Sequence, residues 1–124
     1  MTDHILIVED DADIAMLIEV RLRRQGYETR RACNGALGLA SFLDEPPTII
    51  VTDRAMPALD GVEMTRKIRA SGGTQPRIIM VSASTTAADQ QHARDAGVDD
   101  YVTKPIAFPR LLELVSEVYA TLAA

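Results

Sequence analysis

Three short apolar runs, Ile5-Leu6-Ile7-Val8, Ile49-Ile50-Val51 and Ile78-Ile79-Met80-Val81, interrupt an otherwise mixed sequence. Each is too short for a helix and rich in β-branched residues, and none alternates with polar positions, so each predicts a strand buried on both faces. Weaker stretches at Tyr27-Glu28-Thr29 and Tyr101-Val102 bring the expected strands to five. Between them the apolar positions recur at helical spacing. Ile14, Leu17, Ile18 and Leu22 share one face of a first helix, and Arg21, Arg23 and Arg24 occupy much of the remainder. Leu37, Ala40 and Leu43 carry a second helix and residues 62–68 a third. Leu111, Leu114, Val115, Val118 and Leu122 carry the last, with Pro109 suited to its first turn. Residues 86–96 differ, because their nonpolar positions are nearly all alanine, and they predict a helix that docks loosely. Gly26, Asn34-Gly35, Pro46-Pro47, Gly72-Gly73 and Gly97 punctuate the chain between elements. This strand-helix alternation predicts an α/β doubly wound fold, a single domain over residues 1–124.

Composition narrows the function classes. With 47% apolar and 25% charged residues, the chain is expected to fold alone as a globular domain, neither disordered nor fibrous. No apolar stretch approaches a bilayer span, and Met1-Thr2-Asp3-His4 lacks a basic region followed by an apolar core. A cytoplasmic location without membrane contact is expected. Cys33, the single cysteine, has no internal disulfide partner and no metal-ligand spacing around it. The net charge of −5 weighs against binding to phosphate backbones, so nucleic acid is not an expected partner.

In a doubly wound sheet, ligands collect at the carboxyl edge of the strands. There the first strand runs into Glu9, Asp10 and Asp11, the third into Asp53, the fourth into Ser82 and the fifth into Lys104 and Pro105. Carboxylates gathered in one place repel unless a hard divalent cation compensates them, and Mg²⁺ is the natural candidate, held by Asp10 and Asp53 with Glu9 acting through water. The acidic run has a second reading, as the first turn of a helix with Asp10 or Asp11 as N-cap. Asp53 is harder to read as a cap, since no helical pattern begins immediately after it. A carboxylate there is a candidate nucleophile toward a phosphoryl donor, with Mg²⁺, Lys104 and the Ser82 hydroxyl available to the phosphoryl oxygens. Singly, Lys104 reads equally as a surface lysine and Ser82 as a turn residue.

The segments Ile5-Leu6-Ile7-Val8-Glu9-Asp10-Asp11, Thr52-Asp53 through Met56-Pro57 to Asp60-Gly61, Val81-Ser82-Ala83 and Tyr101-Val102-Thr103-Lys104-Pro105, in this order and spacing, resemble the response-regulator receiver family over residues 4–122. The resemblance implies a flavodoxin-like parallel sheet of order 2-1-3-4-5 with five helices. It also implies a non-enzymatic signalling module of two-component or phosphorelay systems. Its partners would be a histidine kinase or histidine phosphotransfer protein that phosphorylates Asp53, and a downstream target protein. It further implies Mg²⁺ bound by Asp10, Asp53 and the backbone carbonyl of Ala55, with Glu9 in the outer shell. Ser82 and Lys104 would read the phosphoryl group, Ser82 and Tyr101 would form the switch, and the Lys104-Pro105 peptide would be cis. The moving surface would be the fourth helix, fifth strand and fifth helix. By the same resemblance, kinase helices dock on Asp11, Ile14, Leu17, Pro105 and Ile106, although Ile14 and Leu17 read equally as core. Tyr119 is expected to lie outside the core stripe, on a dimer or target surface, in a monomer or a weak phosphorylation-dependent dimer.

Several positions depart from the family pattern or vary within it. Arg54 follows the acceptor where an apolar residue is usual, and its guanidinium has two directions open, back onto the site or toward a partner. Ala55 and Ser84 are short at variable positions, and Ile106 replaces a commoner Phe. Three rival classes remain in view. A phosphohydrolase working through an aspartyl phosphate would carry a second Asp where this chain has Ala55. A flavin mononucleotide carrier would need a Ser/Thr/Gly-rich cradle where Glu9-Asp10-Asp11 stands. A pseudo-receiver that only binds protein requires Arg54 to disable the site. With no output domain after Ala124, signalling by protein contact or onward relay of the phosphoryl group is expected.

Overall fold

A computed structural model describes residues 3–123, the last of them by its backbone alone. Strands and helices alternate throughout: β1 (Ile5–Val8), α1 (Ala12–Arg24), β2 (Thr29–Ala32), α2 (Gly35–Asp44), β3 (Ile49–Asp53), α3 (Gly61–Ala70), β4 (Arg77–Ser82), α4 (Ala87–Ala96), β5 (Asp100–Thr103) and α5 (Phe108–Ala123). All strands pair in parallel in the order β2-β1-β3-β4-β5. This is the doubly wound, flavodoxin-like arrangement that the resemblance implied.

Successive strand residues point to opposite faces, so each apolar run serves two cores. Ile5, Ile7, Ile49, Val51, Ile79 and Val81 pack with Ala15, Ile18 and Leu22 of α1 and Leu111, Leu114 and Val115 of α5. Leu6, Val8, Ile50, Ile78 and Met80 pack on the other side with Phe42 of α2, Val62, Met64 and Ile68 of α3, and Ala93 and Ala96 of α4. Full burial on both faces is what removed polar alternation from these runs. Local chemistry starts the helices. Asp11, Asn34, Asp60 and Thr86 are N-caps whose side chains accept from amides of the first turn.

Several expectations need correcting. The second strand lies at Thr29–Ala32 instead of Tyr27-Glu28-Thr29; it is the sheet edge, and the polar Arg30 and Arg31 within it concealed it. In α2 the expected face is inverted: Leu37, Ala40 and Leu43 are exposed, while Gly35, Gly38 and Phe42 are buried. A Cβ on Gly35 would stand 1.9 Å from the Leu59 carbonyl oxygen, and one on Gly38 would stand 3.0 Å from Val8 and 2.8 Å from the Met64 sulfur. The helix lies so close to its neighbours that missing side chains mark its inner face. In α1, Leu17 is exposed, and in α5 Leu122 is exposed. Tyr119 is half-buried and stacks on Tyr27 with ring centroids 4.8 Å apart, so it is an internal contact instead of an open docking aromatic. The alanine-rich segment does form α4, and it docks through the small side chains of Ala93 and Ala96, both buried. Cys33 is exposed. Among the described residues, no helix is long and apolar enough to cross a membrane.

Candidate functional site

Parallel register assembles the site. Val8 stands opposite Thr52, Asp53 opposite Val81, and Ser82 opposite Thr103. Glu9, just past β1, therefore arrives level with Asp53 at the end of β3. Ser82 closes β4 one position beyond Val81, and Lys104 follows Thr103 at the end of β5. Four strands thus deliver carboxylate, hydroxyl and ammonium groups to one carboxyl edge.

The Lys104 Nζ lies 3.2 Å from Asp53 Oδ2 and 3.3 Å from Glu9 Oε1. Carboxylate oxygens of Glu9, Asp10 and Asp53 lie within 4.8 Å of one another. Glu9 and Asp53 are buried, and Asp10 is exposed beside them. The backbone holds both buried acids: the Asp11 amide donates to Glu9 Oε2 at 3.3 Å, and the Arg54 amide donates to Asp53 Oδ1 at 2.8 Å. Ser82 is buried, and its hydroxyl accepts from the Ser84 amide at 3.1 Å, while its carbonyl accepts from the Lys104 amide at 2.8 Å. Tyr101 is half-buried, with its hydroxyl donating to the Ser84 carbonyl at 3.1 Å. Ala55 is exposed in the loop after β3, and the Lys104-Pro105 peptide is cis.

The electrostatics follow from this crowding. Burial, and then the charge of Asp53, push the Glu9 carboxyl from its usual 4.5 up to about 7, against the pull of the Asp11 amide and Lys104. Burial alone would lower Lys104, but the Asp53 and Glu9 carboxylates outweigh it and raise its ammonium. Because folded Glu9 holds its proton more tightly than the unfolded chain does, its contribution to stability is complete below 4.5 and is lost as pH rises through about 7. In metal-free protein, wild type is therefore expected to lose about 2 to 3 kcal/mol relative to Glu9→Gln as pH is raised from about 5 to about 8. Urea denaturation of both proteins with chelator present measures this; parallel curves would show that Glu9 titrates normally.

Three oxygen-donor acids with one lysine between them form a set that suits a hard divalent cation better than a soft one. Asp10, Asp53 and Glu9 fit Mg²⁺ by that chemistry. Ile14, Leu17, Pro105 and Ile106, expected as a docking surface, do line one groove of about 370 Å³ with Lys104 and Phe108. Asp11 lies outside that lining; it is exposed and caps α1. The direction of Arg54 is settled: its Nη1 donates to the Asp89 carbonyl at 2.8 Å, across the gap to α4. Neither that contact nor the place of Phe108 in the groove was foreseen. Phe108 had a signal, since it follows the Pro105-Ile106 segment closely, whereas the Arg54 contact had none.

The sequence model of a family described as "Response regulator receiver domain" matches residues 5–116. Among curated proteins, the transcriptional regulatory protein PrrA of Mycobacterium tuberculosis is 38% identical over 119 residues, covering 96% of this chain and 49% of that protein. The chain thus spans about half the length of the curated relatives it matches. Among solved structures, a receiver domain of the Francisella response regulator 1452 superposes with a TM-score of 0.90 at 27% identity, covering 98% of this chain and 99% of that one. The receiver domain of Ssk1, solved with the histidine phosphotransfer protein Ypd1 of Saccharomyces cerevisiae, superposes with a TM-score of 0.89 at 25% identity, covering 99% and 92%.

Proposed function

Since this chain belongs to the response-regulator receiver family of two-component signalling, we propose that it accepts a phosphoryl group on Asp53 from a phosphohistidine and signals by protein contact. The observation that carries the reading is the seat of Asp53: a buried carboxylate 3.2 Å from the Lys104 ammonium and beside Glu9 and Asp10. An Asp53 oxygen attacks phosphorus, the P–N bond breaks, and its electron pair stays on the departing imidazole, which is left neutral or takes a proton from solvent. The product is an acyl phosphate.

Each neighbour has a task in that transfer. Lys104, raised by its two acids, stays protonated and pairs with a phosphoryl oxygen. Ser82 turns its hydroxyl to a second oxygen, giving up its contact with the Ser84 amide. That movement reaches Tyr101, because the Tyr101 hydroxyl is bonded to the Ser84 carbonyl. A bound Mg²⁺ would supply positive charge to offset the phosphoryl group. Asp10, Asp53 and the Ala55 carbonyl would hold it directly, and Glu9 would hold it through water. The groove of Ile14, Leu17, Pro105, Ile106 and Phe108 borders Lys104, so a donor helix seated there presents its histidine next to the acceptor. As Arg54 turns away toward Asp89, it does not disable the site.

Intact mass tests the reading. Wild type incubated with acetyl phosphate and Mg²⁺ is expected to gain one phosphoryl group, and to gain none with chelator in place of Mg²⁺. If acetyl phosphate fails, phosphorylated histidine phosphotransfer proteins are the second donors, and failure with both would leave a binding module without phosphorylation.

A further inference from the structure

We propose that Arg54 is a charge latch that holds α4 closed at rest and is drawn off Asp89 by a phosphoryl group on Asp53; the inference rests on the phosphoacceptor reading above. The latch is built from one continuous set of contacts. The Arg54 amide donates to Asp53 Oδ1 at 2.8 Å, while its guanidinium crosses to the first turn of α4. There Nη1 donates to the Asp89 carbonyl at 2.8 Å, and Nη2 stands 3.7 Å from Asp89 Oδ1. The other Asp89 oxygen, Oδ2, accepts from the Ser84 hydroxyl at 2.5 Å, and the Ser84 carbonyl accepts from Tyr101. One arginine therefore joins the acceptor's own strand to α4, to the loop before it, and through that loop to the ring on β5.

Two comparisons decide which way the guanidinium goes. At rest its grip on Asp89 consists of one hydrogen bond to a neutral carbonyl and one ion pair too long for a hydrogen bond. A phosphoryl group offers the guanidinium fork a bidentate, doubly charge-assisted partner, roughly twice as strong per bond as a neutral one. The charge balance points the same way. A divalent cation with Lys104 compensates the carboxylates of Glu9, Asp10 and Asp53, and an acyl phosphate replaces one carboxylate charge by about two. The charge left over needs a further cation, and Arg54, next in sequence to the acceptor, is buried enough for the attraction to count, with a side chain 19% exposed. Once it leaves, the ties of α4 to α3 and the sheet lie further along the helix, at the buried Ala93 and Ala96 and at the Arg66–His92 and Arg69–Gly97 contacts. The first turn of α4 and the loop before it then open.

Hydrogen exchange read by mass spectrometry over residues 84–90 tests this, with phosphoryl content read by intact mass on the same samples. Unphosphorylated Arg54→Leu is expected to exchange about tenfold faster than wild type in this segment, the scale of one hydrogen bond to a charged group. Asp89→Asn, which keeps the carbonyl bonded to Arg54 and removes only the ion pair, should raise exchange by less than Arg54→Leu, and Arg54→Lys should restore part of the protection. Phosphorylated wild type should reach the rate of Arg54→Leu, and phosphorylation should add little to the variant. Equal exchange of wild type and Arg54→Leu at rest would overturn the latch. A wild type that gains the phosphoryl mass without faster exchange at 84–90 would overturn the release while leaving the phosphoacceptor reading intact. Absence of any mass gain would remove the release together with that reading.

Discussion

Asp53→Ala is expected to gain no phosphoryl mass under conditions that convert wild type, to lose stabilisation by Mg²⁺, and yet to be more stable than wild type in chelator. The three outcomes share one cause. On the phosphoacceptor reading the carboxylate supplies the attacking oxygen, so without it no acyl phosphate forms. It is also one of the acids set around the metal position, and a ligand that binds only the folded state stabilises by the logarithm of its saturation. At an Mg²⁺ concentration of about 100 times the dissociation constant, wild type should gain about 2.7 kcal/mol, and the variant a small fraction of that. Without metal, however, Asp53 raises its neighbour Glu9, so its removal relieves repulsion in a buried place, an effect partly offset by the loss of the Lys104 ion pair, whose ammonium keeps Glu9 as a partner. Its partner amide is not orphaned, because the Arg54 amide also reaches the Val81 carbonyl at 3.3 Å. A gain of about 1 kcal/mol in chelator is expected, in the range typical where a site is built against stability. Thermal or urea unfolding with and without Mg²⁺, alongside intact mass, reads all three. Phosphoryl mass on the variant would move the acceptor elsewhere, and undiminished Mg²⁺ stabilisation would remove Asp53 from the ligands.

The second large effect comes from a residue with no side chain. Gly61 opens α3, and its amide donates to the Arg54 carbonyl at 2.8 Å. A Cβ there would lie 2.2 Å from the Asp53 carbonyl oxygen, 3.0 Å from Met80 Cε and 3.2 Å from Arg54 Cα. Methionine can move its terminal methyl, but the Asp53 carbonyl belongs to a strand bonded on both sides, to β1 and to β4. Either α3 backs away or the end of β3 is displaced. Gly61→Ala is therefore expected to cost about 3 kcal/mol, the upper part of the overpacking range, and to lower the unfolding midpoint by roughly 10 °C. It should also slow phosphorylation of the folded fraction, because the strained peptide is the acceptor's own. Stability within about 1 kcal/mol of wild type would mean that α3 has slack at this contact.

What was legible in the sequence follows the physics of burial. β1, β3 and β4 announced themselves because both of their faces are covered, whereas β2 did not, since an edge strand with Arg30 and Arg31 carries little apolar signal. In α2, the periodicity of Leu37, Ala40 and Leu43 led to the wrong face. Hydropathy counts side chains, and here the close approach of Gly35 and Gly38 decides. Asp53, Ser82, Glu9, Asp10 and Lys104 were legible as a group because each stands at or just after the end of a strand, and parallel pairing alone brings such ends together. The reach of Arg54 to Asp89 and the stacking of Tyr119 on Tyr27 were not, because both depend on how distant elements settle in three dimensions.

The contact between Lys104 and Glu9 joins residues 95 positions apart. Synthesis makes the acids before the lysine, so a growing chain holds Glu9, Asp10 and Asp53 without their internal counter-cation while residues 54–103 are added. Contacts of such long sequence separation close late, after the entropy of the intervening loop has been overcome. On the phosphoacceptor reading, a chain that ends before β5 would therefore be a poor sink for phosphoryl groups, since it lacks the Lys104 ammonium beside Asp53.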